Sequence, residues 1–501
     1  MTEQAIDTEV LIVGAGPTGL LLAGDLAAAG VRVTVLEKRG TESNLTRAFA
    51  VHARSLELLD ARDLAEDLIA TGRPLTGLRM FDRFAIDLGS LPTRFPFVLI
   101  TPQYQTERLL HERAVKAGAT VLRGAEVTGL RQDADGVTLE TRGSDGGTAT
   151  HRARYAVGTD GVRSTVRDLL GIPFPGESVV DSVLLADVRL EREPAETVTV
   201  GANEAGFAFL APFGDGWFRL IAWDRKERQP DGTVPSPERL AGLARTILGE
   251  DYGLHDVRWS STFHSDERQA PNYRSGRVFL AGDAAHCHSP AGGQGMNTGL
   301  QDAANLSWKL AAVLRGRATD ALLDTYQTER HPVGRTVLRT SGALIRLALA
   351  ESAPTRALRG ALVALGSHLD PVTERGARMV SGIGIAYPAP KGSHPQVGRR
   401  VPDLRLTGLR KPADGGPAAP ERLYEALRTG KFILVSNDEL VAAEPWADRM
   451  VTAAPADPHG KLRDTVLLIR PDGYVAWAGI DPGQNELRTA LTTWLGTPAQ
   501  A

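Results

Sequence analysis

The strongest constraint on this chain lies in its first 37 residues. An apolar run of strand length, Glu9 to Val13, meets Gly14-Ala15-Gly16-Pro17-Thr18-Gly19, and the Ala/Leu-rich segment from Pro17 to Ala29 reads as a helix closed by Gly30. A second strand, VRVTVLE, ends at Glu37. Strand, glycine turn, helix and strand within about thirty residues make a βαβ unit with a right-handed crossover. The G-x-G-x-x-G spacing in this context lets bare backbone approach a pyrophosphate, and the helix N-terminus offers unpaired N–H groups and partial positive charge. Glu37 is placed to accept hydrogen bonds from both hydroxyls of an adenosine ribose and would repel a 2′-phosphate. This speaks against NADP bound at this turn and leaves FAD and NAD open.

At 501 residues and roughly 150 residues per domain, about three domains are expected. Residues 1–175 together with 269–395 read as a discontinuous α/β, Rossmann-like domain. Helices are expected over 53–69 and 105–117, and short runs near Thr120, Val127, Val137 and Ala153 suggest an antiparallel meander. Between 176 and 268 the pattern becomes alternating strands, which predicts a separate antiparallel sheet with one face packed and the other able to line a cavity. The sequence GRVFLAGDAAH returns to strand and turn, followed by helices through Trp308 and from Asp320, the latter bent at Pro332. Residues 396–501 form a third unit, with KFILVSN and TVLLIRPDGYVAWAG as strands and Pro-Asp-Gly as a turn. The fold class is thus multidomain, α/β plus α+β.

Charge narrows the partners. With 57 Lys+Arg against 60 Asp+Glu the formal net charge is −3, which lacks the broad positive field that nucleic acid or an anionic membrane requires. The single cysteine, Cys287, excludes an intrachain disulfide, a cysteine-based zinc site and a cysteine-ligated cluster, and makes a cytoplasmic location the default. His286-Cys287-His288 does not have metal-ligand spacing, so no metal is expected. Glu3, Asp7 and Glu9 stand where a signal peptide would carry positive charge, and the apolar stretch from Leu11 to Gly30 is broken by glycines, Pro17 and Asp25. A soluble monomer or homodimer is the expectation, with a small aromatic ligand as partner.

Two further motifs separate the dinucleotides. Gly158-Thr159-Asp160-Gly161-Val162-Arg163-Ser164 and Gly282-Asp283-Ala284-Ala285-His286 both follow apolar strands and precede helical sequence. Asp283 falls at the carboxyl end of its strand, where open α/β sheets bind ligands, and its carboxylate suits a ribityl hydroxyl. Pro290-Ala291-Gly292-Gly293-Gln294-Gly295-Met296-Asn297 then opens a helix whose N–H groups suit the negative charge of a reduced flavin. Arg163 and Arg167 are equally suited to phosphates and to a solvated helix start.

On these four motifs the chain resembles class A flavoprotein monooxygenases, the single-component FAD hydroxylases that include para-hydroxybenzoate hydroxylase. The likeness runs from about residue 8 to 335, and the tail with MVSGIGIAY, GSHPQVGRRVPD and LIRPDGYVAWA is similar to the branch acting on aromatic polyketides. That branch carries a thioredoxin-like C-terminal domain, here without a CxxC. The resemblance implies FAD contacts at Gly14, Gly16, Pro17, Thr18, Gly19, Glu37 and Lys38. It also implies roles for Arg47 and Gln105 near the ribityl-phosphate region, Asp160 in the flavin and nicotinamide fingerprint, and Gly282 and Asp283 at the ribityl chain. Pro290, Gly293, Gly295, Met296 and Asn297 would meet the isoalloxazine. In the place of a Gly-containing turn after Arg47, this chain has Ala48-Phe49-Ala50.

The implied cycle is hydride transfer from NADPH or NADH, which visits transiently, then reaction with O2 to a C4a-hydroperoxyflavin and oxygen transfer to an aromatic carbon. The aromatic residues Phe207, Phe209, Phe213, Trp217, Phe218 and Trp223 lie on the central strands, where one parity faces a core and the other is free to stack on a planar ring. A substrate pocket is expected from Phe209, Phe213, Phe95, Phe97 and Pro290. No ionisable residue is singled out by spacing as a catalytic base. Baeyer–Villiger oxidation and antibiotic inactivation on the same scaffold stay open, as does a non-catalytic flavin-binding role. A dehydrogenase using NAD would leave the Asp160 and Asp283 motifs unexplained.

Overall fold

The computed structural model describes residues 8–42, 48–80, 84–195, 197–289, 293–348, 370–407, 420–438, 440–460 and 462–498. Arg47 and Pro290 lie outside them. Val10–Val13 is buried at every position, as a strand flanked on both edges and covered on both faces must be. It pairs in parallel with Val33–Glu37 on one side and Tyr155–Gly158 on the other, with Val10 opposite both Val33 and Tyr155. The full order of this six-stranded sheet is Arg274–Ser275, Val278–Leu280, Tyr155–Gly158, Val10–Val13, Val33–Glu37 and Thr120–Arg123. Thr120–Arg123 therefore extends the parallel sheet, and the antiparallel meander proper contains only Ala125–Gln132, Val137–Gly143 and Thr148–Ala153.

The helix expected over 53–69 is two helices, Ala53–Asp60 and Ala65–Ile69. They are separated where Asp63 takes a left-handed φ of 60°, a conformation that ends an α-helix. The helix after Pro102 spans Gln103–Lys116, two residues earlier than the sequence pattern suggests. Helix Gln294–Leu314 is buried over most of its length, and helix Ala321–Ala348 continues through Pro332.

The chain leaves the first sheet after Gly158 and re-enters it at Arg274. A second six-stranded sheet is ordered Thr199–Ala202, Gly206–Pro212, Phe218–Asp224, Gly176–Arg189, His255–Gln269 and His286–Cys287, with antiparallel pairing throughout; its first five strands lie between these points, and His286–Cys287 joins it after Val278–Leu280. Strand alternation divides its residues. Leu184, Ala186, Val188, Leu210, Phe218 and Leu220 pack against Leu240, Leu243 and Ile247 of helix Pro237–Leu248. Val183, Leu185, Phe209, Ala211, Phe213, Ile221 and Trp223 face the opposite way, toward Phe49, Ala50, Ala53, Val98 and Ile100 of the first unit.

The third unit is a five-stranded sheet in the order Leu406–Thr407, Met450–Pro455, Phe432–Val435, Thr465–Ile469 and Val475–Ile480, followed by helix Gln484–Leu495. It shares a core with the first unit. Trp308 of helix Gln294–Leu314 meets the Phe432 ring edge to face at 5.4 Å and packs near Trp494. No helix among the described residues is long and apolar enough to cross a membrane.

Candidate cofactor and substrate site

The three glycine-bearing turns meet at the carboxyl edge of the parallel sheet. Gly14 has a φ of 104°, and a Cβ there would lie 2.6 Å from the Thr159 carbonyl oxygen. Thr159 closes the seam by donating its hydroxyl to the carbonyls of Val13 at 2.8 Å and Gly14 at 3.0 Å. A Cβ on Gly19 would stand 2.1 Å from the Gly14 carbonyl, so this position serves close packing of helix on turn. Gly16 differs from both, since its Cβ would meet nothing within 4 Å. Gly16 caps helix Pro17–Ala28, with Pro17 inside the first turn, where the leading amides have no intrahelical partner.

Thr18 links this turn to the third motif. Its Oγ1 lies 2.7 Å from where Gly282 would place a Cβ and 2.3 Å from where Gly299 would, and Gly282 holds a left-handed φ of 60°. Gly295, one helical turn before Gly299, faces Asp283 Oδ1 at 3.8 Å and His288 Cε1 at 3.6 Å from its would-be Cβ. Asp283 is exposed and Met296 is buried. Gly293, at a φ of 63°, precedes the helix and lies against Ala50 and His52. Asn297 ties these segments together. Its Nδ2 donates to the carbonyls of Ala50 at 2.9 Å and Gly293 at 2.7 Å, while Oδ1 accepts the His52 amide at 2.9 Å.

Glu37 is 4% exposed. Oε2 accepts the Ala15 amide at 2.7 Å, and Oε1 accepts the backbone and Nε of Arg39, both at 2.9 Å. Burial alone would raise its carboxyl, but the Arg39 and Ala15 donors hold it below the ordinary range. Carboxylate oxygens carry about four lone-pair sites in all, and three are filled, so Oε2 keeps room for one ribose hydroxyl rather than the two expected. Lys38 is exposed beside it.

Asp160 serves its own loop: Oδ1 accepts the Ser164 hydroxyl at 2.5 Å and Oδ2 the Val166 amide at 3.1 Å. Burial raises its carboxyl despite these donors. Arg167 donates to the Ala284 and Val162 carbonyls and stacks 3.9 Å from the Phe174 ring, while Arg163 pairs with Asp231 at the surface. Arg167 thus braces the backbone of the second and third turns, while Arg163 lies outside them.

Gln105 accepts from Arg108 on the outer side of its helix. Gln103 faces inward instead. Its Oε1 accepts the Ala48 amide at 2.8 Å and its Nε2 donates to Glu107 at 2.7 Å, next to the segment that follows Arg47. The signal for Gln103 is its position directly after Pro102, where a helix begins and a side chain can reach backbone amides outside it. Burial, with the like charge of Glu37 adding to it, raises Glu107.

Phe209 and Phe213 lie on the sheet face turned toward the first unit, with Trp217, Trp223, Trp259 and Phe263 nearby and Phe49 at 5.5 Å from Phe209. Phe95 and Phe97 do not join them. They meet edge to face at 6.2 Å and pack into the core of the parallel-sheet unit, because the segment carrying them crosses that core before reaching Val98–Ile100. Phe49, directly before strand Ala50–Val51, takes their place at the aromatic face. Within that face Arg219 Nε donates to Asp187 Oδ1 at 2.8 Å, both side chains being wholly buried. The guanidinium stands 5.4 to 5.5 Å from the rings of Phe49, Phe213 and Trp259, a separation that favours cation–π attraction.

The residues fit an FAD-sized dinucleotide. Gly16 leaves open space at a helix N-terminus, Glu37 stands at the neighbouring strand end, and Asp283 and Gly295 face each other beyond Gly282. The family described as FAD binding domain matches residues 7–341, and that described as Aromatic-ring hydroxylase, C-terminal matches residues 394–498. The 12-dehydrotetracycline 5-monooxygenase/anhydrotetracycline 6-monooxygenase of Streptomyces rimosus subsp. rimosus is 40% identical, with 98% of this chain and 99% of that protein covered. A rifampicin monooxygenase of Streptomyces venezuelae is 39% identical over 97% of this chain and 98% of its own length. The solved structure of OxyS anhydrotetracycline hydroxylase from Streptomyces rimosus superposes with a TM-score of 0.86 at 38% identity, covering 98% of this chain and all of the other. The chain belongs to the FAD-dependent aromatic-ring hydroxylases and is a flavoprotein monooxygenase.

Proposed function

We propose that this monooxygenase hydroxylates a polycyclic aromatic polyketide held between the Phe209–Phe213 sheet face and the flavin, with NADPH or NADH as transient reductant. The observation that carries this reading is the row of aromatic rings, Phe49, Phe209, Phe213, Trp217 and Trp259, on the side of the sheet turned toward the first unit. Such a wall suits a flat, extended ring system better than a small aliphatic ligand. The tetracycline and rifampicin oxidation named for the relatives supports it.

Bound FAD supplies hydride acceptance from the nicotinamide and activation of O2. The chain supplies position and dryness. Gly14, Gly16, Pro17, Thr18 and Gly19 cradle the pyrophosphate, Glu37 holds the ribose with Lys38 alongside, and Asp283 receives a ribityl hydroxyl. Gly293, Gly295, Met296 and Asn297 present the helix N-terminus to the isoalloxazine, and Asp160 shapes the second turn. Gln103, rather than Gln105, holds the Ala48 amide. The apolar wall excludes water, which would otherwise divert the activated oxygen to peroxide. Domain limits at 1–175 with 269–395, 176–268 and 396–501, a thioredoxin-like third domain and a cytoplasmic location complete the proposal.

The test is mass spectrometry of reactions containing NADPH or NADH, ¹⁸O2 and a panel of polycyclic phenols and quinones. One labelled oxygen in a hydroxylated product supports the reading. A labelled lactone would assign Baeyer–Villiger oxidation instead, and consumption confined to a rifamycin-type substrate would assign antibiotic inactivation, which the 39% identity to a rifampicin monooxygenase favours as the second reading.

A further inference from the structure

Two neighbours on helix Ala321–Ala348, Glu329 and Arg330, hold opposite parts of the molecule. Glu329 takes both arms of Arg470, Oε1 from Nη1 at 2.7 Å and Oε2 from Nη2 at 3.0 Å. Asn305 and Lys309 of helix Gln294–Leu314 donate to the same Oε2 at 2.6 and 2.8 Å. Arg470 opens the Arg470-Pro471-Asp472-Gly473 turn of the third unit and donates Nε to Asp472 Oδ1 at 3.0 Å. The Asp472 carbonyl in turn accepts Arg54 Nη2 at 2.5 Å.

Arg330 points the other way. Its Nε donates to Asp302 Oδ1 at 2.6 Å, and its Nη2 to the Thr298 carbonyl at 3.2 Å. The second oxygen of Asp302 accepts the Gly282 amide at 3.1 Å and lies 2.7 Å from His286 Nε2. Asp302 and Arg330 are 0% exposed, Arg470 is 2% and Glu329 is 8%. In so dry a setting bidentate, charge-assisted bonds fix orientation as well as distance. Because Glu329 and Arg330 are consecutive residues of one rigid helix, a shift that loosens the first moves the second.

We propose that the Arg470–Asp472 turn of the third unit is a positioning element of the cofactor site: by fixing Glu329 it sets the helix turn from which Arg330 holds Asp302, and through Asp302 the Gly282 turn. The proposal rests on the reading of that turn as part of the FAD site. It assigns the third unit a task beyond packing, since Arg470 acts on the site through residues of the first unit.

The test uses the full chain with Arg470→Met, Arg470→Lys and Glu329→Gln, and Arg449→Met as a control whose guanidinium serves the Leu495 and Thr497 carbonyls inside the third unit. Two quantities are read: the FAD dissociation constant by flavin fluorescence, and amide hydrogen exchange of Gly282 to His286 without added FAD. Arg470→Met and Glu329→Gln should weaken FAD about tenfold and speed exchange at Gly282 to His286. Arg470→Lys should recover part of both, and Arg449→Met should lower stability while changing neither. Glu329→Gln and Arg470→Lys decide the matter if Arg470→Met does not fold. Unaltered FAD affinity and unaltered exchange in Glu329→Gln and in the foldable Arg470 variants would overturn the proposal and leave the third unit a strut. A wild-type chain that takes up no FAD, with exchange at Gly282 still accelerated in the variants, would refute the flavin reading and keep the coupling.

Discussion

The carboxylate of Glu37 accepts the amide of Ala15 at 2.7 Å, so the last residue of the second strand holds the first glycine turn in shape. Glu37→Ala should therefore damage the site in two ways, by orphaning a backbone amide inside the turn and by deleting the ribose acceptor. A buried unsatisfied donor costs about 1–3 kcal/mol. Equilibrium dialysis should show FAD affinity falling by at least about tenfold, which corresponds to roughly 1.4 kcal/mol. Retention of wild-type affinity would remove Glu37 from the ribose site.

The glycines of the first turn should separate fold from binding. Gly16→Val has room in the protein alone, since a Cβ there meets nothing within 4 Å, yet it fills the space proposed for pyrophosphate. Its melting temperature without cofactor should stay close to wild type while flavin content collapses. Gly19→Ala, with its Cβ 2.1 Å from the Gly14 carbonyl, should instead lose about 1–3 kcal/mol of stability through overpacking. Thermal denaturation alongside flavin absorbance distinguishes the two.

Asp283 is exposed, and surface changes usually stay within about 0.5 kcal/mol of wild-type stability. Asp283→Ala should accordingly fold normally and release FAD on gel filtration. An undiminished flavin-to-protein ratio would contradict its assignment to the ribityl chain.

For the aromatic face, Phe209→Ala should raise the KM for a polycyclic substrate more than it lowers kcat, because an apolar wall contributes binding shared by ground and transition states. Phe97→Ala should act on stability with little change in KM, since Phe97 packs into the other core. Steady-state kinetics on one substrate settles both.

Acid stability should carry a signature of His288. Burial, with His286 beside it, lowers its imidazole from 6.5 to about 4. Between these values the unfolded chain binds a proton that the folded chain refuses, so stability falls as pH drops through the window and levels off below it. The effect is at most on the order of 3 kcal/mol. His288→Asn should flatten melting temperature against pH between 6.5 and 4 relative to wild type.

Much of this architecture was readable from local pattern. The βαβ unit announces itself because strand, glycine turn and helix each have a short-range signature, and Glu37 follows at a fixed spacing. Strand alternation likewise predicts that the central strands divide their residues between two faces, and Phe209 and Phe218 fall in different packed clusters. Three features escaped. Gln103 and Gln105 differ only in where the helix begins, and a two-residue shift rotates one inward and the other out. Phe95 and Phe97 carry no periodic mark of which of two cores they enter. The ionic layer around Glu329 joins residues as far apart as Lys309 and Arg470, and in sequence each reads as an ordinary surface charge. Only the tertiary arrangement, which buries them together, gives them a role.

The chain crosses between the parallel and antiparallel sheets three times, outward after Gly158, inward at Arg274 and outward again from Leu280 to His286, and Val278–Leu280 is itself the neighbour of Tyr155–Gly158. A lobe tethered by a single linker can swivel about it. One tethered at several adjacent points has lost that torsional freedom. The aromatic wall is thereby held in one register with the unit it faces.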